Sequence, residues 1–307
     1  MKAAYFMEHG GPEVLRYGNV VDPVAGPGQV LIDVHAASVN AADWKVRRGG
    51  YGPVASVPYV PGRDFSGVVS ALGDGVGEFG IGDAVFGVCD AGQEAAYAEK
   101  IAVRAAIVAR KPPSLSHAEY AALALTGLTA IVAVEDTLQL KPGETILIQG
   151  GAGGVAGFAI QLSKHIGARV ITTASAANHG YLRGLGADQI IDYNSQDYTQ
   201  LVSGCDAVFD TVGGEVATRS FAVLRPGGRA AFIASGNAAP ASPRADVTSL
   251  RPKVGRDRAH LERIVALVAG GAVRVPEITL YALSQAAAAH ALSEGRHLRG
   301  KLVFKVR

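Results

Sequence analysis

The segment Thr145-Ile146-Leu147-Ile148-Gln149-Gly150-Gly151-Ala152-Gly153-Gly154-Val155-Ala156 has residue types that could hold a phosphate. An apolar run enters a cluster of glycines, and an amphipathic stretch, Gly157-Phe158-Ala159-Ile160-Gln161-Leu162, leaves it. Counted from Gly151 the spacing is G-x-G-x-x-A, an allowed form of the dinucleotide-binding fingerprint. Gly151 would permit the tight turn, Gly153 the approach of a pyrophosphate to the backbone, and Ala156 close packing of helix on strand. With Ala152, Gly154 and Val155 they would present backbone amides at the positive end of a helix. A turn that binds nothing, or one that takes another adenosine ligand, is the competing reading. The strand before the loop and the helix after it favour a dinucleotide.

The end of the next strand bears on which dinucleotide. It reads Arg169-Val170-Ile171-Thr172-Thr173-Ala174-Ser175-Ala176-Ala177-Asn178. A site for NAD usually carries Asp or Glu about 20 residues after the loop, to hold the ribose hydroxyls. Here Ser175 and Asn178 stand instead, with His179, Arg183 and Tyr193 further on. Hydroxyl and amide donors without carboxylate repulsion suit a 2′-phosphate, so NADP(H) is expected. Later strand ends add candidate contacts at Thr211, Val212, Phe232, Ile233 and Ser235. The small residues Gly236-Asn237-Ala238-Ala239-Pro240-Ala241-Ser242-Pro243 could border an acceptor pocket or link two strands.

These groups need a scaffold. From Ser116 onward helical and strand patterns alternate: helices over 117–134, 155–166 and 177–185, strands over 145–149, 169–174, 189–191, 207–210 and 230–233. Such alternation predicts βαβ units, a parallel sheet and helices on both of its faces, the doubly wound α/β architecture of a Rossmann domain. The first third differs. Residues 29–40 and 64–70 read as strands, and 80–92 carries short apolar runs broken by glycine, which together predict a compact barrel-like β domain. A helix over 260–269, an alanine-rich helix over 284–293 and a last strand over 301–306 lie outside the alternating region.

Bulk composition narrows the function class. The chain has 307 residues, 49% hydrophobic and 18% charged, enough for two domains. A net charge of +2 without a basic run argues against nucleic acid as a partner. The longest uncharged stretch, 120–134, is too short for a membrane span and reads as a buried helix. The two cysteines, Cys89 and Cys205, are far apart and the eight histidines show no ligand spacing, so neither a disulfide framework nor a metal site is expected. Together with an N-terminus that lacks a signal-peptide pattern, this predicts a reducing, cytoplasmic setting.

A wider set of segments carries a resemblance. Met1-Lys2-Ala3, Ser38-Val39-Asn40-Ala41-Ala42-Asp43, Pro61-Gly62-Arg63-Asp64-Phe65-Ser66-Gly67, Gly82-Asp83-Ala84-Val85-Phe86-Gly87, Thr126-Gly127-Leu128-Thr129-Ala130, Leu185-Gly186-Ala187-Asp188 and Gly300-Lys301-Leu302-Val303 occur in that order. With the glycine loop they resemble the zinc-less, ζ-crystallin-like quinone oxidoreductases of the medium-chain dehydrogenase/reductase superfamily, over nearly the whole chain. The resemblance implies a GroES-like catalytic domain from residues 1–117 and 255–307, with a Rossmann domain over 118–254 inserted. It implies a nicotinamide pocket touching Asn40, Thr126 and Thr129, with Arg296 and Lys301 as further cofactor contacts. It also implies a homodimer through edge strands near 247–251. Zinc-dependent relatives carry a Cys after the first long strand and a Gly-His-Glu segment. This chain has Asn40 and Asp43 in the first region and Gly62-Arg63-Asp64 in the second.

Without a metal to polarise it, the substrate must already accept hydride well. Quinones and α,β-unsaturated carbonyls do, because the charge that arrives is delocalised. The protein must then supply orientation and donors to the developing oxygen charge. Candidates are Asn40, Asp43, Lys45, Tyr51 and Tyr59. Tyr51, in Gly49-Gly50-Tyr51-Gly52-Pro53, could donate; Asn40 could orient nicotinamide or acceptor; Asp43 could hold loop geometry by pairing Lys45 or Arg47. An enoyl-thioester reductase, an NADPH-binding sensor with little turnover and a methyltransferase are the alternatives. The flanking GroES-like segments weigh against the last of these.

Overall fold

The computed structural model describes residues 1–236 and 238–307. The chain forms two compact units. One comprises Met1–Leu125, Arg256–Ala266 and Val275–Arg307; the other comprises Thr126–Gly255 and Leu267–Arg274. The first boundary falls at Leu125, inside the helix His117–Ile131, rather than at residue 117, and residues 267–274 go with the second unit.

In the first unit the strand Gln29–Ser38 organises a seven-stranded sheet. Its even-numbered Val30, Ile32 and Val34 are fully buried, as period-two patterning requires. Asp64–Leu72 pairs antiparallel along one side of it. Lys100–Arg104 and Lys301–Lys305 pair with its two ends. Ala84–Val88, Val108–Arg110 and Ile278–Ala282 complete the sheet. The register between Gln29–Ser38 and Asp64–Leu72 shifts between Val34 and Ala36. Gly67 lies at that bulge, where a Cβ would stand 2.1 Å from Asp33 O. Phe65, Tyr97, Ile101 and Phe304 fill the core. Pairing in this sheet is antiparallel except between Ile278–Ala282 and Lys301–Lys305.

In the second unit six strands run parallel, in the order Gln189–Asp192, Arg169–Ala174, Thr145–Gln149, Cys205–Asp210, Leu224–Phe232, Thr248–Leu250. By sequence within the unit this is 3-2-1-4-5-6, the doubly wound order whose direction reverses between Thr145–Gln149 and Cys205–Asp210. Leu147, Ile171, Val208 and Phe232 share one core cluster, and the alternate residues Ile146, Ile148 and Val170 are fully buried on the opposite face. Leu224–Phe232 begins earlier than its apolar run implies: its pairing with Cys205–Asp210 is irregular where Pro226-Gly227-Gly228 passes. The residues near 247–251 form the terminal strand of this sheet.

Helix Gly154–Ile166 starts at Gly153 and is closed by Gly167 in the left-handed region, with Lys164 and His165 in the last turn facing the negative end of the dipole. His117–Ile131 continues as a wide turn over Val132–Thr137, where Leu138 N–H reaches Ala133 O. Residues His117–Thr137 are long and apolar enough to cross a membrane, but 78% of their most apolar window is buried within the protein, as in a core helix. Helix Ala41–Arg47 has no counterpart in the sequence reading, and neither do the short helices Tyr198–Leu201 and Glu215–Arg219.

Candidate active site

The glycine loop sits at the carboxyl end of Thr145–Gln149, at the reversal of strand order. The tight turn is made by Gly150, with φ of 77°, and not by Gly151 as the fingerprint count implies. A Cβ on Gly151 would stand 2.3 Å from Thr172 Oγ1, so that glycine is required by contact with the neighbouring strand. Gly153 differs: its backbone is extended, and a Cβ there would find nothing nearer than Gly150 O at 3.5 Å. Protein packing therefore leaves open the position through which a pyrophosphate would approach. Gly157 N–H bonds to Gly153 O, so the amides of Gly154, Val155 and Ala156 precede that intrahelical bond and lie at the positive end of the helix. Ala156 is buried against the sheet.

A directional chain of hydrogen bonds holds this loop from below. Gly150 N–H donates to Thr173 Oγ1 at 3.2 Å, and Thr173 Oγ1 donates to Gln149 Oε1 at 2.6 Å. Gln149 Nε2 donates to Ser220 Oγ at 3.1 Å, and Ser220 Oγ donates to Val216 O at 2.8 Å. Each of these donors, from Gly150 to Ser220, finds an acceptor, which rigidifies the loop. Thr211 Oγ1 donates to Gln149 O at 2.8 Å, tying the ends of the two strands at the reversal point. Asp210 is fully buried there. Burial raises its carboxyl above the usual range, while the amides of Val212 and Gly213 donate to it.

The other expected cofactor residues of this unit fall into groups. Ser175 and Asn178 stand together past Arg169–Ala174, Asn178 Nδ2 donating to Ser175 Oγ at 3.1 Å. Tyr193 is exposed in the turn after Gln189–Asp192. Thr126 and Thr129 are buried on the long helix. Val212 is partly exposed, Ile233 donates its N–H to Asp210 O, and Ser235 Oγ donates to Ala238 O. Asn237 lies outside the described residues. Phe232 is a correction: its ring is fully buried against Phe221, with centroids 5.2 Å apart, so it is core and not a ligand contact.

The first unit gathers a second cluster. Asn40 precedes helix Ala41–Arg47, and its backbone N–H donates to Asp43 Oδ2 at 2.8 Å. The Asn40 side chain bridges two buried charges. Its Nδ2 donates to Asp64 Oδ2 at 3.1 Å, and its Oδ1 accepts from Lys301 Nζ at 2.7 Å. Lysine only donates, so the orientation of the amide is fixed. Lys301 also donates to Val39 O and is 4% exposed. This corrects its expected role. Its ammonium is committed to the strand end and to Asn40, and burial pushes it below the usual lysine range while Asp64 pulls it back. Asp64, buried and accepting from Ser38, is pushed up by desolvation.

Asp43 is buried, and desolvation raises its carboxyl to about 7 against the pull of Arg63. The expected pairing with Lys45 or Arg47 is replaced. Asp43 Oδ2 accepts from Tyr97 Oη at 2.8 Å, and Arg63 Nε stands 3.8 Å from Oδ1. Arg47 is instead buried in an ion pair with Glu294. Arg63 reaches Glu94 at 3.0 Å, and its guanidinium lies 5.6 Å from the ring centroid of Tyr51. Tyr51 is 54% exposed, whereas the Tyr59 hydroxyl donates to Glu94 at 2.6 Å. Gly62, with φ of 99°, makes the space for Tyr97: a Cβ would stand 2.2 Å from Tyr97 Cδ1. Arg296 lies exposed over Trp44, 5.9 Å from the ring centroid. Tyr97, Glu94 and Arg63 are the functional candidates that the sequence reading missed or left unassigned. The Asn40–Asp43 cap spacing could have shown the helix, but no local signal pairs residues 43 and 97.

No group of three His, Cys, Asp or Glu able to hold a metal ion occurs among the described residues. Where a zinc site would need acids and imidazoles free to ligate, Asp43 and Asp64 are engaged by Arg63, Tyr97, Ser38 and Asn40, with the Lys301 ammonium alongside, so this donor set does not fit zinc. Both cysteines are free and buried, and burial raises the Cys205 thiol to about 11.

Comparison with known proteins matches an alcohol dehydrogenase GroES-like domain to residues 26–128 and a zinc-binding dehydrogenase domain to residues 185–304. The chain is 38% identical over 260 residues to a 2-methylene-furan-3-one reductase of Solanum lycopersicum, covering 81% of this chain and 66% of the relative. It is 33% identical over 315 residues to a chloroplastic NADPH-dependent alkenal/one oxidoreductase of Arabidopsis thaliana, covering 99% of this chain and 79% of the relative. The solved structure of a quinone oxidoreductase from Coxiella burnetii superposes with a TM-score of 0.91 at 36% identity, covering 100% of this chain and 99% of that one.

Proposed function

The chain belongs to the quinone oxidoreductase family of the medium-chain dehydrogenase/reductase superfamily, and from that premise we propose that it transfers hydride from NADPH to a quinone or an α,β-unsaturated carbonyl. The observation that carries the cofactor half is the glycine loop at the reversal of strand order. Gly153 has room to spare there, and Ser175 and Asn178 stand beyond the next strand in place of a carboxylate. The Arabidopsis relative is named as NADPH-dependent, which supports the same choice.

When bound, NADPH supplies a hydride at its nicotinamide ring. The residues that would hold its phosphates are the amides following Gly153, and Ser175 with Asn178 would face the 2′-phosphate. Gln149, Thr173 and Ser220 keep that loop in place. In the first unit Lys301 and Asn40 fix the strand end before helix Ala41–Arg47. Arg63 holds its guanidinium over the Tyr51 ring, 5.6 Å from the centroid, and that positive charge with the exposed Tyr51 phenol would suit negative charge developing on an acceptor oxygen. A zinc-independent route is part of the proposal. It is supported by the acids' existing partners, and an enone or quinone needs no Lewis acid to accept hydride.

A homodimer along the terminal strand Thr248–Leu250 and a cytoplasmic location complete the reading. The exposed end of a parallel sheet supports the first, and two free buried cysteines are compatible with the second. Sedimentation of the purified protein tests the dimer.

The decisive experiment is NADPH oxidation by metal-stripped protein with a simple quinone and a 2-alkenal in parallel, and NADH as control. Turnover with either acceptor, preferring NADPH, is the expected result. Turnover confined to enoyl thioesters, or restored only by added zinc, would overturn it.

A further inference from the structure

A line of buried polar groups ends on Asp43, all of it within the first unit. It begins at Arg47, whose fully buried guanidinium pairs with Glu294 and donates to Gly10 O at 3.2 Å. Arg47 Nη1 lies 3.2 Å from His290 Nδ1. A guanidinium has donors and no acceptor, so Nδ1 must offer its lone pair and the ring proton belongs on Nε2. His290 Nε2 in turn lies 3.3 Å from Tyr97 Oη, and donates to it. That turns the phenol O–H toward Asp43 Oδ2, 2.8 Å away. The same oxygen accepts Asn40 N–H at 2.8 Å. With two donors on Oδ2, a proton added to this carboxyl goes to Oδ1. Oδ1 is buried with no hydrogen-bond partner, and it faces Arg63 Nε, which also has none, across 3.8 Å.

We propose that Arg47, His290 and Tyr97 are positioning residues: their fixed donor order assigns the Asp43 proton to Oδ1, and through that oxygen the charge state of Asp43 sets how far the Arg63 charge is available to the reaction. This rests on the reading of the chain as a quinone or enone reductase. With Asp43 ionised, Arg63 lies between two carboxylates, Asp43 and Glu94, and its charge is covered. With Asp43 neutral, only Glu94 opposes it, and the guanidinium beside Tyr51 can favour an acceptor gaining negative charge.

The other groups that face Asp43 fix the window in which this happens. Asp64 is the acid on the strand Asp64–Leu72 and Lys301 the buried cation on Lys301–Lys305, while Glu94, on the segment before Tyr97, acts through its ion pair with Arg63. Tyr59 and Cys89, which also sense Asp43, are held neutral by burial. Tyr97 is held neutral in the same way and cannot compete for the proton. His290 stays uncharged until about pH 3, because it is buried and faces Arg47, so its donor role persists across the window.

The test is a carbon-13 carboxyl titration of the whole protein, alongside the pH profile of kcat/KM for a simple quinone at saturating NADPH. Asp43 is expected to titrate near pH 7, with its signal absent in Asp43→Asn. Tyr97→Phe removes one donor from the ionised carboxylate, which should raise that midpoint by about one pH unit. The alkaline limb of kcat/KM should sit at the same midpoint and move with it. His290→Gln, which keeps an acceptor for Arg47 and a donor for Tyr97, should leave the midpoint near its wild-type place, whereas His290→Leu should raise it. Titration of Asp43 near pH 4 overturns the proposal. So does a midpoint or a limb that Tyr97→Phe leaves unmoved. Wild-type protein that binds NADPH and reduces no acceptor, with Asp43 still titrating near 7 and still responding to Tyr97→Phe, upholds the donor order and overturns the reductase reading instead.

Discussion

Replacing Gly153 by alanine should separate binding from folding. Gly153 has φ of −74° and ψ of 157°, a backbone that alanine adopts without strain. The added methyl would meet no protein atom nearer than 3.5 Å, an ordinary contact. Restricting the unfolded chain stabilises by about 0.4–1 kcal/mol. Losing a glycine at the helix cap costs a similar amount, about 0.5–1 kcal/mol. The two offset, so stability should change by less than about 0.5 kcal/mol. NADPH affinity should not survive in the same way. If a pyrophosphate approaches the backbone at Gly153, the methyl fills the space it needs, and a loss of about 3 kcal/mol corresponds to roughly 100-fold in Kd. Urea unfolding gives the first quantity, and quenching or enhancement of NADPH fluorescence gives the second. Gly151→Ala is the control with the opposite balance. Its Cβ would be forced to within 2.3 Å of Thr172 Oγ1, so it should destabilise by about 1–3 kcal/mol whatever the ligand. Wild-type NADPH affinity in Gly153→Ala would refute the placement of the phosphates and, with it, the argument from open space.

Gly62→Ala should cost about 2–5 kcal/mol, the sum of a left-handed alanine and a methyl driven into the Tyr97 ring; a change in urea midpoint equivalent to less than 0.5 kcal/mol would contradict the packing described. Thr173→Val removes both the acceptor for Gly150 N–H and the donor to Gln149 Oε1, so it should destabilise by about 1–3 kcal/mol and weaken NADPH binding, measurable by calorimetry. His290 titrates at about 3 in the folded protein and near 6.5 when unfolded, so the unfolded chain binds the extra proton. Its contribution is fully present above pH 6.5 and is lost as pH falls toward 3, with a slope of up to about 1.4 kcal/mol per pH unit. Asp43, raised to about 7, acts in the opposite sense, adding stability as pH falls from 7 toward 4. Unfolding free energies measured across this range should show a shallower acid loss in His290→Gln than in wild type.

The Rossmann half was readable because its signals are local. Strand runs such as Thr145–Gln149 and Arg169–Ala174, and the helix Gly154–Ile166, announce themselves by period and by glycines a few residues apart. Where the sequence reading slipped there, the cause was a contact with another strand. The left-handed turn belongs to Gly150, while Gly151 is required for a different reason, the Thr172 side chain beside it on the neighbouring strand. Phe232 looked like a ligand contact from its place near a strand end, but the parity of the sheet turns it into the core against Phe221.

The acid cluster was legible only in part. Residues 40 and 43 stood out by type and spacing, while the partners that give Asp43 its character are Arg63, Tyr97 and His290, brought in from the strand and loop segments and from the helix Ala286–Glu294 near the chain's end. Sequence alone thus determined the two kinds of domain and the glycine loop, because these follow from periodicity and backbone stereochemistry within a dozen residues. Tertiary structure alone decided which carboxylate is buried, which donors face it and on which oxygen its proton rests, because desolvation and hydrogen-bond direction depend on groups as much as 261 positions apart, as Asn40 and Lys301 are.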